Sequence, residues 1–145
     1  MNGAKTKEIL ALVDHVIDEA DLLARVSSPD CGAVLVFRGI VRNEHHGRAV
    51  ARLEYRAYER MAYTQMEALA SELRTRWPVR ALAIVHRLGT LAVGDASVVI
   101  ALAVPHRAAG FAALEHAIGA FKRNIPIWKK EHFTDGSSEW VHQDA

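Results

Sequence analysis

One cysteine, Cys31, stands alone in a chain of 145 residues. It rules out an intrachain disulfide and a cysteine-rich zinc site, and a cytoplasmic location is the simple expectation. An excess of one charge is lacking too: 18 basic against 17 acidic side chains leave a net charge of +1. No general attraction to nucleic acid or to an anionic membrane follows, so an anion site must come from local clustering. No stretch approaches the roughly 18 apolar residues of a membrane span. Met1 to Ala20 carries Asp14, Asp18 and Glu19 and does not read as a signal peptide. Repeats, low-complexity tracts and Pro/Gly/Ser linkers are missing as well, so residues 1–145 read as a single domain.

Several chemical signatures are also missing. There is no G-x-G-x-x-G after a strand, no phosphate loop ending in G-K-[ST], no H-E-x-x-H and no G-x-S-x-G elbow. The pair His45-His46 reads as a solvated turn rather than a metal site. No metal and no cofactor are expected.

Half of the residues are hydrophobic, enough for a substantial core at this length. Ile9 to Val13 fits either a helix or a strand, and Leu22, Leu23 and Val26 suggest a short helix before Ser27-Ser28-Pro29-Asp30. Ala33 to Val41, rich in valine, reads as a buried strand. Val50 to Tyr58 alternates Leu53, Tyr55 and Ala57 with Arg52, Glu54 and Arg56, as a half-buried strand does, and the two strands are expected to form a hairpin. A helix follows from about Glu59 to Trp77, with Ala62, Met66, Leu69, Ala70, Leu73 and Trp77 as its apolar stripe. Ala81 to Leu88 and Val98 to Val104 are two more strands. A last helix begins near His106, striped by Phe111, Leu114, Ile118, Phe121 and Ile125, and Pro126 stops it. The remaining tail is short, polar and aromatic. Strand pair, helix, strand pair, helix indicates an α+β fold with antiparallel hairpins and a ββαββα-like core behind a small N-terminal element.

Three basic groups sit beside rigid apolar elements. Arg42 ends the strand that contains Phe37. His106-Arg107 follows Pro105 at a helix N-terminus, where backbone N–H groups favour an anion and an arginine is otherwise unfavourable. Lys122 flanks the apolar stripe beside Phe121 and precedes Lys129-Lys130. A lysine in such surroundings either snorkels along the helix edge or is desolvated enough to act as a base or nucleophile. Trp128 is either core or the wall of a ring-binding pocket. Such clusters suit a small, multiply charged, partly aromatic anion.

An ordered set of segments carries a resemblance. Phe37-Arg38-Gly39-Ile40-Val41-Arg42-Asn43, Leu53-Glu54-Tyr55, Tyr58, Trp77-Pro78 and Val85-His86-Arg87-Leu88-Gly89 come first. Val93-Gly94-Asp95, Pro105-His106-Arg107, Lys122, Pro126-Ile127-Trp128-Lys129-Lys130-Glu131 and Trp140-Val141 follow. In order and spacing they are similar to the molybdopterin synthase catalytic subunits, across about Gly32 to Val141. Met1 to Asp30 matches only loosely.

The resemblance implies sulfur transfer to cyclic pyranopterin monophosphate, giving molybdopterin. The sulfur would come from the C-terminal Gly-Gly thiocarboxylate of a small ubiquitin-like partner, in a heterotetramer built on a dimer of large subunits. This chain, ending His142-Gln143-Asp144-Ala145, is not expected to be the carrier. By position, Arg42, His106, Arg107, Lys122 and Lys129 match the family's pterin and phosphate site, with Ile40, Val41, Lys130 and Glu131 as neighbours. Lys122 and Lys129 are the expected catalytic residues, and the others the substrate-binding ones. His106 and Lys122 lie sixteen positions apart, roughly 24 Å along an unbroken helix. One small pterin cannot touch both in one chain, so a composite site is expected, with His106 and Arg107 supplied by the dimer mate. Two other readings also explain the charges: a non-catalytic binding module of the same fold, and an enzyme acting on another small phosphate ester. Neither explains the whole ordered set.

Overall fold

A computed structural model describes residues 7–142. The chain runs β1 (Lys7–Val13), α1 (Glu19–Val26), β2 (Ala33–Ile40), β3 (Glu44–His45), β4 (Arg48–Ala57), α2 (Glu59–Arg76), β5 (Ala81–Arg87), β6 (Gly89–Ala92), β7 (Ala96–Val104), α3 (Arg107–Asn124), β8 (Ile127–Phe133) and β9 (Ser138–His142). The mixed α+β class agrees with the expectation, and the ambiguous Ile9 to Val13 is strand.

Helix limits follow local chemistry. The Asp18 carboxylate caps α1 by accepting from the Asp21 backbone N–H at 3.0 Å, satisfying one of the helix's orphan donors. Pro78 and Pro126 push the residues before them, Trp77 and Ile125, into extended backbone, and α2 and α3 stop there.

The first sheet has the order β1-β5-β7-β2; β1 and β5 are parallel and the other neighbours antiparallel. Its central strands are covered on both faces, and alternation sorts their side chains. Leu82, Ile84, Ile100 and Leu102 join the core with α2 and α3. Ala81, Ala83, Val85, Val99, Ala101 and Ala103 meet Leu22 and Val26 of α1 on the other face. The second sheet has the order β3-β4-β8-β9, with β6 also on β4.

The expected hairpin of the first two long strands does not form. Among the described residues β2 pairs only with β7, at the edge of the first sheet, whereas β4 pairs with β3, β6 and β8 in the second. The alternation of each strand was legible, but its partner was not. The tight turn after His45 serves the short β3–β4 pair, while β2 finds the valine-rich edge of β7. The tail also differs from expectation: β8 and β9 are paired strands. The charged pair Lys129 and Glu131 interrupts an otherwise apolar face of β8 between Ile127 and Phe133, and hides its strand pattern.

The stripe of α3 differs too. Its buried residues are Gly110, Ala113, Ala117, Ala120 and Phe121, while Phe111 is exposed and Leu114 and Ile118 are only partly buried. Small residues let the helix approach the sheet closely. At Gly110 a Cβ would meet Leu35 Cδ1 at 2.5 Å and Val104 Cγ2 at 2.9 Å, both side chains being buried.

Candidate functional site

The two sheets and the C-terminal end of α3 meet around a cavity of about 340 Å³. That is at the lower end of the range for small-molecule sites, about 300–1,000 Å³. Each wall is placed by a different local rule. β2 brings Phe37 and Ile40 to one side, and Arg42 follows just beyond its end. β4 presents Val50, Leu53 and Tyr55 on its inward face. Lys122 stands in the last turn of α3, where a cation is favoured by the helix dipole. The break at Ile125-Pro126 then reverses the chain into β8, whose alternation aims Lys129 and Glu131 into the same cavity.

Five of the nine sequence-derived site residues therefore converge: Ile40, Arg42, Lys122, Lys129 and Glu131. The other four lie elsewhere. Val41 is buried, its N–H bonded to the Asp95 carbonyl. Lys130 is on the opposite face of β8, with Nζ 5.7 Å from the centre of the Trp140 ring. His106 and Arg107 are exposed at the far end of α3, which is helical without a break from Arg107 to Asn124. Trp128 is likewise on the face of β8 away from Lys129, edge-to-face with Tyr58 at 4.7 Å.

His45 and Tyr55 are among the cavity residues that sequence reasoning left unassigned. His45 Nδ1 lies 2.7 Å from Glu131 Oε1, and Glu131 is only 3% exposed. No local signal joins residues so far apart in sequence. Tyr55 is buried, and burial pushes its phenol up, against the opposing hydrogen bond with Ser97; the nearby Glu131 carboxylate pushes it further up. Its alternation in β4 marked it as inward-facing, which core packing explains equally well.

Behind Tyr55 sits His86, fully buried, its ring 4.7 Å edge-on from Tyr55 and 5.8 Å stacked on Phe121. Its Nδ1 donates to the Arg87 carbonyl at 2.7 Å, and its Nε2 has no hydrogen-bond partner among the described residues. Burial holds its pKa down at about 4. Among the described residues, no three His, Cys, Asp or Glu side chains converge to hold a metal ion, and no helix is long and apolar enough to cross a membrane.

The cavity thus gathers three cations, Arg42, Lys122 and Lys129, with the buried Glu131 and with Glu44 at its wall, against apolar sides, and the excess of cations suits a small anion. Comparison with known proteins places the chain among relatives. The family model described as "MoaE protein" matches residues 12–124. The molybdopterin synthase catalytic subunit of Bos taurus is 42% identical over 136 residues, covering 94% of this chain and 72% of that protein. The crystal structure of molybdopterin synthase from Staphylococcus aureus superposes with a TM-score of 0.85 at 37% identity, covering 90% of this chain and 94% of that one. A Helicobacter pylori complex of subunits 1 and 2 of molybdopterin-converting factor contains a chain matching with a TM-score of 0.75 at 26% identity, over 92% of this chain and 88% of that one. This chain belongs to the MoaE protein family, that of the molybdopterin synthase catalytic subunits.

Proposed function

We infer that this chain transfers sulfur from the C-terminal thiocarboxylate of a small ubiquitin-like partner to cyclic pyranopterin monophosphate, forming the dithiolene of molybdopterin. The observation that carries this reading is the convergence of Lys122 and Lys129, from a helix end and a separate strand, on one cavity beside Arg42. The two-subunit Helicobacter pylori complex supports the small partner. We read residues 1–145 as a single large-subunit domain working in the cytoplasm.

In this reading Lys122 is the central residue. It either deprotonates or stabilises the attacking thiocarboxylate, or shuttles protons as the acyl link to the carrier breaks. Lys129 stabilises developing negative charge. Arg42, with His106 and Arg107, holds the phosphate and orients the ring. Ile40 and Glu131 complete the binding region, while Val41 and Lys130, matched by position in the sequence, lie off this cavity. Because α3 is unbroken, His106 and Arg107 come from the partner copy in a homodimer, so each site is shared.

Reconstitution tests the function. The chain, a thiocarboxylated small subunit and the pyranopterin precursor should together yield dithiolene product. Tight partner binding without product would instead favour a non-catalytic binding module. The shared site has its own test in mixed dimers of Lys122→Ala and Arg107→Ala chains. One intact site per mixed dimer should restore activity that each variant lacks alone; no recovery after subunit exchange would place both groups in one chain's site.

A further inference from the structure

We propose that His45 is a positioning residue of the cavity, acting through Glu131. The proposal rests on the sulfur-transfer reading above and extends it to a residue that the reading does not use. A buried carboxylate needs a partner, and the Glu131 carboxylate, almost wholly removed from solvent, has the His45 ring at 2.7 Å. An ionised carboxylate only accepts hydrogen bonds, so Nδ1 of His45 carries the proton.

The backbone around His45 is built to hold that ring. His45 pairs with Arg48 across a two-residue turn, in which His46 (φ 50°) and Gly47 (φ 77°) both take positive φ. Such a turn matches the twist of a hairpin and sets its register. Gly47 adopts this conformation without strain; His46 does so less readily, and such residues persist where the surroundings hold them. The His46 ring lies 4.0 Å from that of His45. On the other side of the same strand, β4 pairs Leu53 with Glu131. One strand therefore registers both partners of the contact.

The consequence concerns the lysines. Glu131 is an anion in a cavity whose other charged groups include Lys122, Lys129 and Arg42. Held by His45, the carboxylate keeps one orientation. Released, it is able to rotate within the cavity and redistribute the charge that the lysines present to the reacting atoms. Small misplacements of this kind cost up to about 100-fold in rate.

The test is steady-state kinetics of the reconstituted complex with wild type, His45→Ala, His45→Asn, Glu131→Ala and the double variant His45→Ala/Glu131→Ala. His45→Ala should lower kcat by about tenfold with little change in KM or melting temperature. His45→Asn should retain most of the activity, because the asparagine Nδ2–H₂ occupies the place of the Nδ1–H donor. The double variant should be no slower than Glu131→Ala. Multiplying losses in the double variant, full activity of His45→Ala, or failure of His45→Asn to rescue would each overturn the proposal. Nitrogen-15 NMR of the imidazoles reads the contact without turnover. An Nδ1–H tautomer of His45 that Glu131→Ala abolishes supports it, and a tautomer indifferent to Glu131 overturns it. An inactive wild type removes the sulfur-transfer reading and the proposal with it; an active wild type with an unaffected His45→Ala removes the proposal alone.

Discussion

Lys122→Ala is expected to lower dithiolene formation by about 10²–10³-fold, the usual loss when one preorganised charge or hydrogen-bond donor is taken from a transition state. The side chain is half-buried at the end of α3 and lines the cavity, so its removal should leave the fold intact and the melting temperature near that of wild type. The small partner should still bind, since the interface needs more than one side chain. Lys122→Arg separates two roles. A guanidinium keeps the positive charge but does not give up its proton in a protein. Substantial activity in the arginine variant would mean that charge alone suffices. Activity as low as that of the alanine variant would favour proton transfer or a shape requirement. Lys122→Ala within threefold of wild type would sink the assignment of Lys122 as central.

The second large effect is on stability. Lowering the pH from about 6.5 to about 4 should remove about 3 kcal/mol of folding free energy through His86 alone. Burial holds its pKa down at about 4, from an ordinary value of 6.5. Between these values the unfolded chain binds a proton that the folded chain refuses. The stability is therefore fully present above 6.5 and is lost as the pH falls toward 4. Carboxylates with depressed pKa values, such as Glu72 with its hydrogen bond from His116, lose their share only lower, below about 4.5. Urea unfolding of wild type and His86→Leu across this range isolates the histidine. The leucine variant should show a flatter pH dependence by about 3 kcal/mol; equal slopes would mean that His86 is protonated in the folded chain. The matter touches the site, because the ring packs on Tyr55, a wall of the cavity, and on Phe121, the residue before Lys122.

The α+β class, both long helices with their proline stops, and the alternation of β4 were legible because each is local. Helix period, strand period and proline sterics act within a few residues. The stripe of α3 misled because sequence reading favours bulky apolar residues. Packing instead selected Gly110, Ala113 and Ala117, which let helix and sheet approach. Strand partnership misled for a related reason: β2 and β4 are each plausible strands, and only the long-range pairing of β2 with β7 and of β4 with β8 decides that they part.

At the site, the sequence by itself determined the basic residues Arg42, Lys122 and Lys129 and, through the length of one helix, the separation of Lys122 from His106. Those are matters of identity and spacing along a rigid rod. Tertiary structure decided which of them meet. It turned Lys130 and Trp128 away from Lys129 by the alternation of a strand that the charged residues had concealed. It also joined His45 to Glu131, residues related by no local period. Contacts of that kind arise only when strands distant in the chain take a common register on β4, and register is fixed by the burial of whole faces.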